Sequence, residues 1–471
     1  MTLDLREFFQ ATNPDKTLFV DNTAKDQNYY IDFSPVRGGH VIKELSNQIA
    51  FWSPDTPTCQ LFTGHVGCGK STELLQLKAQ LEREGFHIVY FESSQNLEMA
   101  DVDVSDILLA IAAQVSESLD RVEQNRSHNP QVILKQVAKL LQTEIELTAD
   151  TSVPGLGNVA ASTAGDFSVN VGIPGIGEVK VSKEEGLSFV APLIGKITAR
   201  AKASPEFRNK LRGYLEPRTN GILEAINSEL IEPGIKRLKD DGKKGLVVIV
   251  DNLDRIDSSA KPWGRNQQEY LFVDRGEQLR SLNCHLIYTM PLALRFSNEF
   301  APLTQRFKNP TVLPMVWVQL RDGSECEQGM ALLRQMVLAR AFPDLEAEQR
   351  LHQMTEIFDT PETLDRLCRI SGGHVRNLLR LLNNAIQKEM GLPISRNSLE
   401  EVILDYKNAL KLAVDKSEWA LLRRVADEKK VTGDEGYEQL IRSMFVYEYR
   451  DRQGSWFVIN PILAEAEEFK S

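Results

Sequence analysis

The eight residues GHVGCGKS at 64–71 constrain this chain more than any other stretch. They fit G-x-x-x-x-G-K-[ST] at every fixed position. Before them stands an apolar run, CQLFTG, and after them STELLQLKAQLEREG, whose apolar residues recur at three and four positions. The run has the character of a buried strand and the segment that of a helix, while FHIVYFES, which follows, reads as a second strand. Strand, Gly loop, helix, strand is a βαβ unit. It commits the domain to an α/β fold, a parallel sheet with helices on both faces.

Three more apolar runs extend that sheet: GLVVIVD ending at Asp251, CHLIYTMP with Thr289 and Met290 near its end, and TVLPMVWVQL from Thr311. About five strands result, a count that suits an open α/β domain. Residues 102 to about 147 read as two helices, and from Cys326 to about Met390 the pattern is helical, broken by SGG at 371–373. The tail carries three helical segments and then MFVYEYRDRQGSWFVINP, two alternating runs about a polar turn. Three helices and a terminal hairpin outline a winged helix. The predicted organisation is an N-terminal segment at 1–35, a core at 36–325, a helical lid at 326–395 and a winged-helix-like domain at 396–471. Within the core a Gly-rich β-hairpin insertion is expected at 149–195, because VPGLGNVAAS at 153–162 returns as IPGIGEVKVS at 173–182 among period-two alternations.

A chain of 471 residues is too long for one ordinary core. Its 42% hydrophobic and 26% charged residues are globular values. The net charge of -11 disfavours nucleic acid as a partner held by a dominant basic field, without closing that route. One basic stretch, Lys196, Arg200, Lys202, Arg208, Lys210, Arg212 and Arg218, reads as a solvated helix face, with a contact to a neighbour's phosphate or to nucleic acid as the alternative. The five cysteines are scattered, with no metal-ligand spacing. The N-terminus lacks the basic and apolar regions of a signal peptide, and no stretch reaches the roughly 18 apolar residues that span a bilayer. A cytoplasmic chain without membrane partners is the expectation.

The Gly-rich loop has a physical purpose. Gly64, Gly67 and Gly69 let the backbone curl so that successive N–H groups face a β-phosphate, aided by the positive end of the following helix. Lys70 would bridge β- and γ-oxygens, Ser71 would ligate Mg2+, and Thr72 would meet the α-phosphate. Asp251, at the end of an apolar strand, suits the carboxylate that holds the same metal. ATP with Mg2+ is the expected ligand, since none of the Asn-Lys-x-Asp signatures of guanine readers is present. The next residue is Asn252, and an amide can orient water but cannot take its proton. Asp254, three positions after Asp251, is the candidate for that task, with slow hydrolysis expected.

GHVGCGKST, VVIVDNLD, the polar strand end at Thr289 and SGGHVR resemble the AAA+ and STAND branch of P-loop ATPases, in the layout of origin-recognition and STAND switch proteins. DNLDR is also similar to the DDLDR of KAP-type ATPases, whose insertion usually carries membrane helices where this chain has its Gly-rich stretch. The resemblance implies that Thr289 orients the attacking water and that Arg376 clamps the γ-phosphate from the lid. A strand-end Thr in a local hydrogen bond and a surface arginine are the alternatives. Arg306, with Arg295 as a second candidate, would reach a neighbour's nucleotide, and Val36 with Arg37 would lie at the base. The implied function is an ATP/ADP-dependent switch acting through a homo-oligomer or a protein partner. A DNA-acting loader or remodeller and a binding-only module are the alternatives.

Overall fold

The apolar runs hydrogen-bond as the patterns require. In the structure, a computed structural model describing residues 3–18, 24–124, 170–173, 176–180 and 190–470, the strands in chain order are β1 (Cys59–Gly64), β2 (His87–Glu92), β3 (Asn170–Ile173), β4 (Ile176–Lys180), β5 (Leu246–Asp251), β6 (His285–Met290), β7 (Thr311–Leu313), β8 (Val446–Asp451) and β9 (Gly454–Ile459). Five form one parallel sheet in the order β2-β5-β6-β1-β7. Every residue of β5 and β6 is buried, as central parallel strands covered on both faces must be. Alternation sorts their side chains. Leu246, Val248 and Val250 face a core shared with the helix Val104–Gln124, while Val247 and Ile249 face one shared with the helix Lys70–Arg83 and the lid.

The expected run TVLPMVWVQL forms a strand only as far as Leu313, because Pro314 has no N–H to continue the ladder. The residues beyond it fasten other parts of the molecule. Met315 N–H donates to Glu448 O at 3.0 Å, Val316 N–H to Gly373 O at 3.4 Å and Trp317 N–H to Val36 O at 3.1 Å.

The lid is the helices Glu327–Ala341, Ala347–His352, Pro361–Ile370 and Val375–Glu389. The tail supplies Arg396–Lys411, Lys416–Glu428 and Tyr437–Arg442, then the β8–β9 hairpin, which turns at Arg452 and Gln453 as the sequence predicts. The N-terminal helix Leu5–Ala11 buries Phe8 against the lid, where Asn383 Nδ2 donates to Phe9 O at 3.1 Å and to Thr12 Oγ1 at 3.0 Å. The N-terminal segment therefore packs as part of the lid wall.

Of the insertion, β3 and β4 are described and pair antiparallel. The first repeat at 153–162 and the second helix expected before about 147 lie outside the described residues. The basic stretch is not a solvated face throughout. Lys202 Nζ donates to the carbonyls of Ser94 and Gln95 at 2.7 and 2.9 Å, and Arg208 and Arg212 pair with Asp101 at 3.3 and 2.6 Å. Period and charge cannot reveal such pairing, since the acids come from a loop about a hundred positions earlier.

Candidate nucleotide site

β1 delivers the Gly-rich loop at its C-terminal end, and the helix starting at Lys70 follows at once. Gly67 has φ 81°, and a Cβ there would stand 2.8 Å from the His374 ring, so the position admits only glycine. Lys70 is buried. Its Nζ donates to Gly64 O at 2.8 Å and His65 O at 2.9 Å and pairs with Asp254 Oδ2 at 2.9 Å. Burial works against its charge, but Asp254, close by, overrides that and raises its pKa. The other oxygen of Asp254, Oδ1, is buried without a hydrogen-bond partner.

Asp251 sits at the sheet's C-terminal edge, 1% exposed. Tyr90 Oη donates to its Oδ2 at 2.8 Å, Asn252 N–H donates to its Oδ1 at 2.6 Å, and the Ser71 hydroxyl lies beside the same carboxylate. Burial and then the charge of Asp254 push its pKa up, while Ser71 and Tyr90 draw it back. Asn252 takes the left-handed conformation, φ 61°, in the turn that brings Asp254 back beneath Lys70. Leu253 N–H in that turn donates to Thr289 Oγ1 at 2.8 Å. Thr289 is fully buried, and its hydroxyl holds the turn.

The cleft over this loop is walled by the N-terminal segment, the loop after β5 and two lid helices. It is lined by Gly67, Gly69, Lys70, Ser71, Thr72, Arg37, Asp254 and Arg376 of the predicted residues. Arg376 lies in the first turn of its helix, its N–H donating to Gly67 O at 3.2 Å and its Nε to Pro14 O at 3.4 Å. Arg37 is a buried strut under the loop: Nε donates to Pro314 O at 2.8 Å, another nitrogen to Cys68 O, and a third pairs with Glu73 at 3.5 Å.

Val36, Gly64, Asp251, Thr289, Arg295 and Arg306 do not line the cleft, Asp251 being buried beside Ser71 at the sheet edge. Val36 is packed in the core, and Gly64 lies so close to β7 that a Cβ would meet Leu313 O at 2.5 Å. Arg295 pairs within its own chain with the buried Glu448 at 2.6 Å. Arg306 caps its helix, donating to Pro302 O at 3.2 Å.

Sequence reasoning missed Tyr29, Tyr30, Arg255 and Arg340, which line the cleft, and Tyr90, which holds Asp251. The pair YY at 29–30 was visible upstream of the loop, but nothing in its spacing shows which ring faces inward. It also missed His374. That ring caps the lid helix by accepting from Asn377 N–H at 2.9 Å and gives its Nε2–H to Val66 O at 2.9 Å.

The donor set fits a magnesium ion. Ser71 and the buried Asp251 offer adjacent hard oxygens, and a cation would relieve the carboxylate whose pKa burial raises. Among the described residues no cluster of three or more His, Cys, Asp or Glu could hold a metal by itself, and a phosphate-borne Mg2+ needs none.

Strand order, Gly-rich loop and carboxylate strand together define a P-loop NTPase domain. Residues 39–260 match the KAP family P-loop domain. Among solved structures, the chain is similar to the ORC2 protein of Aeropyrum pernix, solved as ADPNP-ADP complexes, at 11% identity and TM-score 0.39 over 96% of this chain and 97% of that one. It is similar to the Aeropyrum pernix ORC1 protein in complex with DNA at 11% and 0.34, covering 89% and 88%, and to Cdc6p of Pyrobaculum aerophilum at 10% and 0.36, covering 94% and 97%. No curated protein matches the sequence significantly. No helix among the described residues is long and apolar enough to cross a membrane.

Proposed function

We propose that the protein is an ATP-binding, slowly hydrolysing switch that couples nucleotide state to the arrangement of lid and C-terminal domain. One observation carries this: the Gly-rich loop is gripped by both. His374 and Arg376 of the lid bond Val66 O and Gly67 O, and His65 Nε2 accepts the N–H of Glu448 in β8 at 2.9 Å. A ligand that reshapes the loop alters every one of these bonds.

Lys70 would exchange Asp254 for β- and γ-oxygens. That exchange frees a carboxylate already within the cleft, able to accept a proton from water in a way Asn252 cannot. Magnesium, held by Ser71 and Asp251, would supply neutralisation of phosphate charge. Arg376 would close on a γ-phosphate, a contact that ADP cannot make, and that difference biases the lid. Arg306 would act on a neighbouring subunit, so assembly or a partner, through the insertion at 149–195, sets the output.

The test is direct. Lys70→Ala should abolish ATP binding, whereas Asp254→Asn should keep binding and lose about 100-fold in turnover, the lower end of what a positioned base supplies. Unchanged turnover in Asp254→Asn removes that residue from the role, and a wild-type chain that binds no nucleotide ends the proposal. An affinity for duplex DNA that falls steeply with salt would instead favour the DNA-acting reading.

A further inference from the structure

Among the cations that line the cleft, Arg340 stands apart from the phosphate-binding loop. Arg340 lies in the last turn of the helix Glu327–Ala341 and is 5% exposed. Its Nη1 donates back to Met336 O at 2.8 Å, but its buried Nε–H has no acceptor. Among the described residues no carboxylate pairs with it: Asp26, whose charge favours the cation, is itself bonded to Lys16 at 3.2 Å. Burial pulls the guanidinium down to about 10, with Tyr29 and Asp26 offsetting only part. A buried cation left this way is costly, and the groups that would complete it are not among the described residues.

Its place along the cleft says which part of a ligand it meets. From Ser71 and Thr72 the wall passes to Glu73, which accepts from Tyr30 Oη at 3.4 Å. Next comes Tyr29, and the Arg340 guanidinium lies 6.0 Å from the centre of that ring. Lys70 and Arg376 already bond the Gly-rich loop at the other end of the contact chain. Arg340 touches Tyr29 and Met336, and the cleft's lining also includes Leu18 and Leu379, aromatic and apolar surface that stacks on a flat ring and does not hydrate an anion.

Building on the nucleotide reading of this cleft, we propose that Arg340 reads the nucleobase, donating to a ring-nitrogen acceptor of a purine seated against Tyr29. A guanidinium has donors and no acceptor, so it meets a ring nitrogen and not the exocyclic amine of adenine. Met336 is one turn earlier on the same helix face, placing an adaptable thioether beside the ring. Through Arg340 the lid would recognise the base, as through Arg376 it would meet the phosphates.

The experiment measures binding by calorimetry on the full chain. The probes are ATP, its 1-deaza, 3-deaza and 7-deaza analogues, and tripolyphosphate. Wild type should bind at least one deaza analogue about tenfold more weakly than ATP, the size of one lost charged hydrogen bond. Arg340→Met should lose a similar factor for ATP and no longer distinguish that analogue, while tripolyphosphate affinity stays the same. Arg340→Lys should resemble Arg340→Met, since an ammonium lacks the planar fork. Wild-type binding of all three analogues as tightly as ATP overturns the inference, and this arm needs no variant to fold. An equal loss of ATP and tripolyphosphate in Arg340→Met also overturns it, reassigning the residue to phosphate. If wild type binds neither, the nucleotide reading falls and takes the inference with it, an outcome distinct from the other two.

Discussion

Asn252 has a backbone reason to be asparagine. Its φ of 61° lies in the left-handed region, which Asn tolerates because its short side chain carries little steric cost there. The turn it makes returns Asp254 to Lys70. A glutamate at 252 would meet the strain of that conformation before it could meet water. Asn252→Glu should lower stability by about 1 kcal/mol and Asn252→Gly by only a few tenths, read as denaturant midpoints. Equal midpoints for the two variants would contradict the backbone account. The residue types of Lys70, Ser71, Asp251 and Asp254 were legible because motif spacing encodes their chemistry. The backbone angle that selects Asn252 was not, since φ leaves no mark on composition.

At the scale of elements, the lid helix Val375–Glu389 is fastened by its first residues. His374 caps it, contacts the Gly-rich loop, and packs on Tyr447 with ring centres 5.7 Å apart. Gly373 before it has φ 71°, and a Cβ there would meet Val316 O at 1.7 Å. Burial, with Arg376 and Arg380 adding to it, drives the pKa of His374 down to about 3 from the model-peptide 6.5. The native state refuses a proton that the unfolded chain accepts. The contribution of His374 is therefore complete above pH 6.5 and is lost as pH falls from 6.5 toward 3, at about 1.4 kcal/mol per pH unit. His65, buried and also depressed, acts with the same sign. His374→Asn keeps a cap but cannot titrate, so its stability should fall less steeply below pH 6.5. Identical acid limbs in the two proteins would count against a neutral, locked ring. SGG announced the helix start correctly. The N-terminal contribution to the cleft, Tyr29 and Tyr30, stayed hidden, because a helix only six residues long gives no periodicity to read.

Across the whole molecule, the segment after Pro314 and the strand β8 make one clasp. Met315 bonds the carbonyl and His65 the amide of Glu448, and the Glu448 carboxylate takes Arg295 at 2.6 Å. Tyr449 Oη donates to Gly372 O at 2.8 Å, and Asn377 Nδ2 to Tyr447 Oη at 3.0 Å, which ties the hairpin to the lid as well. Sheet, lid and tail could each be outlined from periodicity and turn chemistry. Their mutual fastening could not, because it rests on backbone groups and long-range pairs. The central claim is that nucleotide in the cleft is felt at this clasp. The measurement is hydrogen exchange of the Glu448 amide in the chain alone, with ADP and with a non-hydrolysable ATP analogue, each with Mg2+. The account predicts protection that differs between the ATP analogue and ADP by about tenfold, a coupling of roughly 1.4 kcal/mol. Protection that is the same in all three states, with both nucleotides shown to be bound, would contradict it.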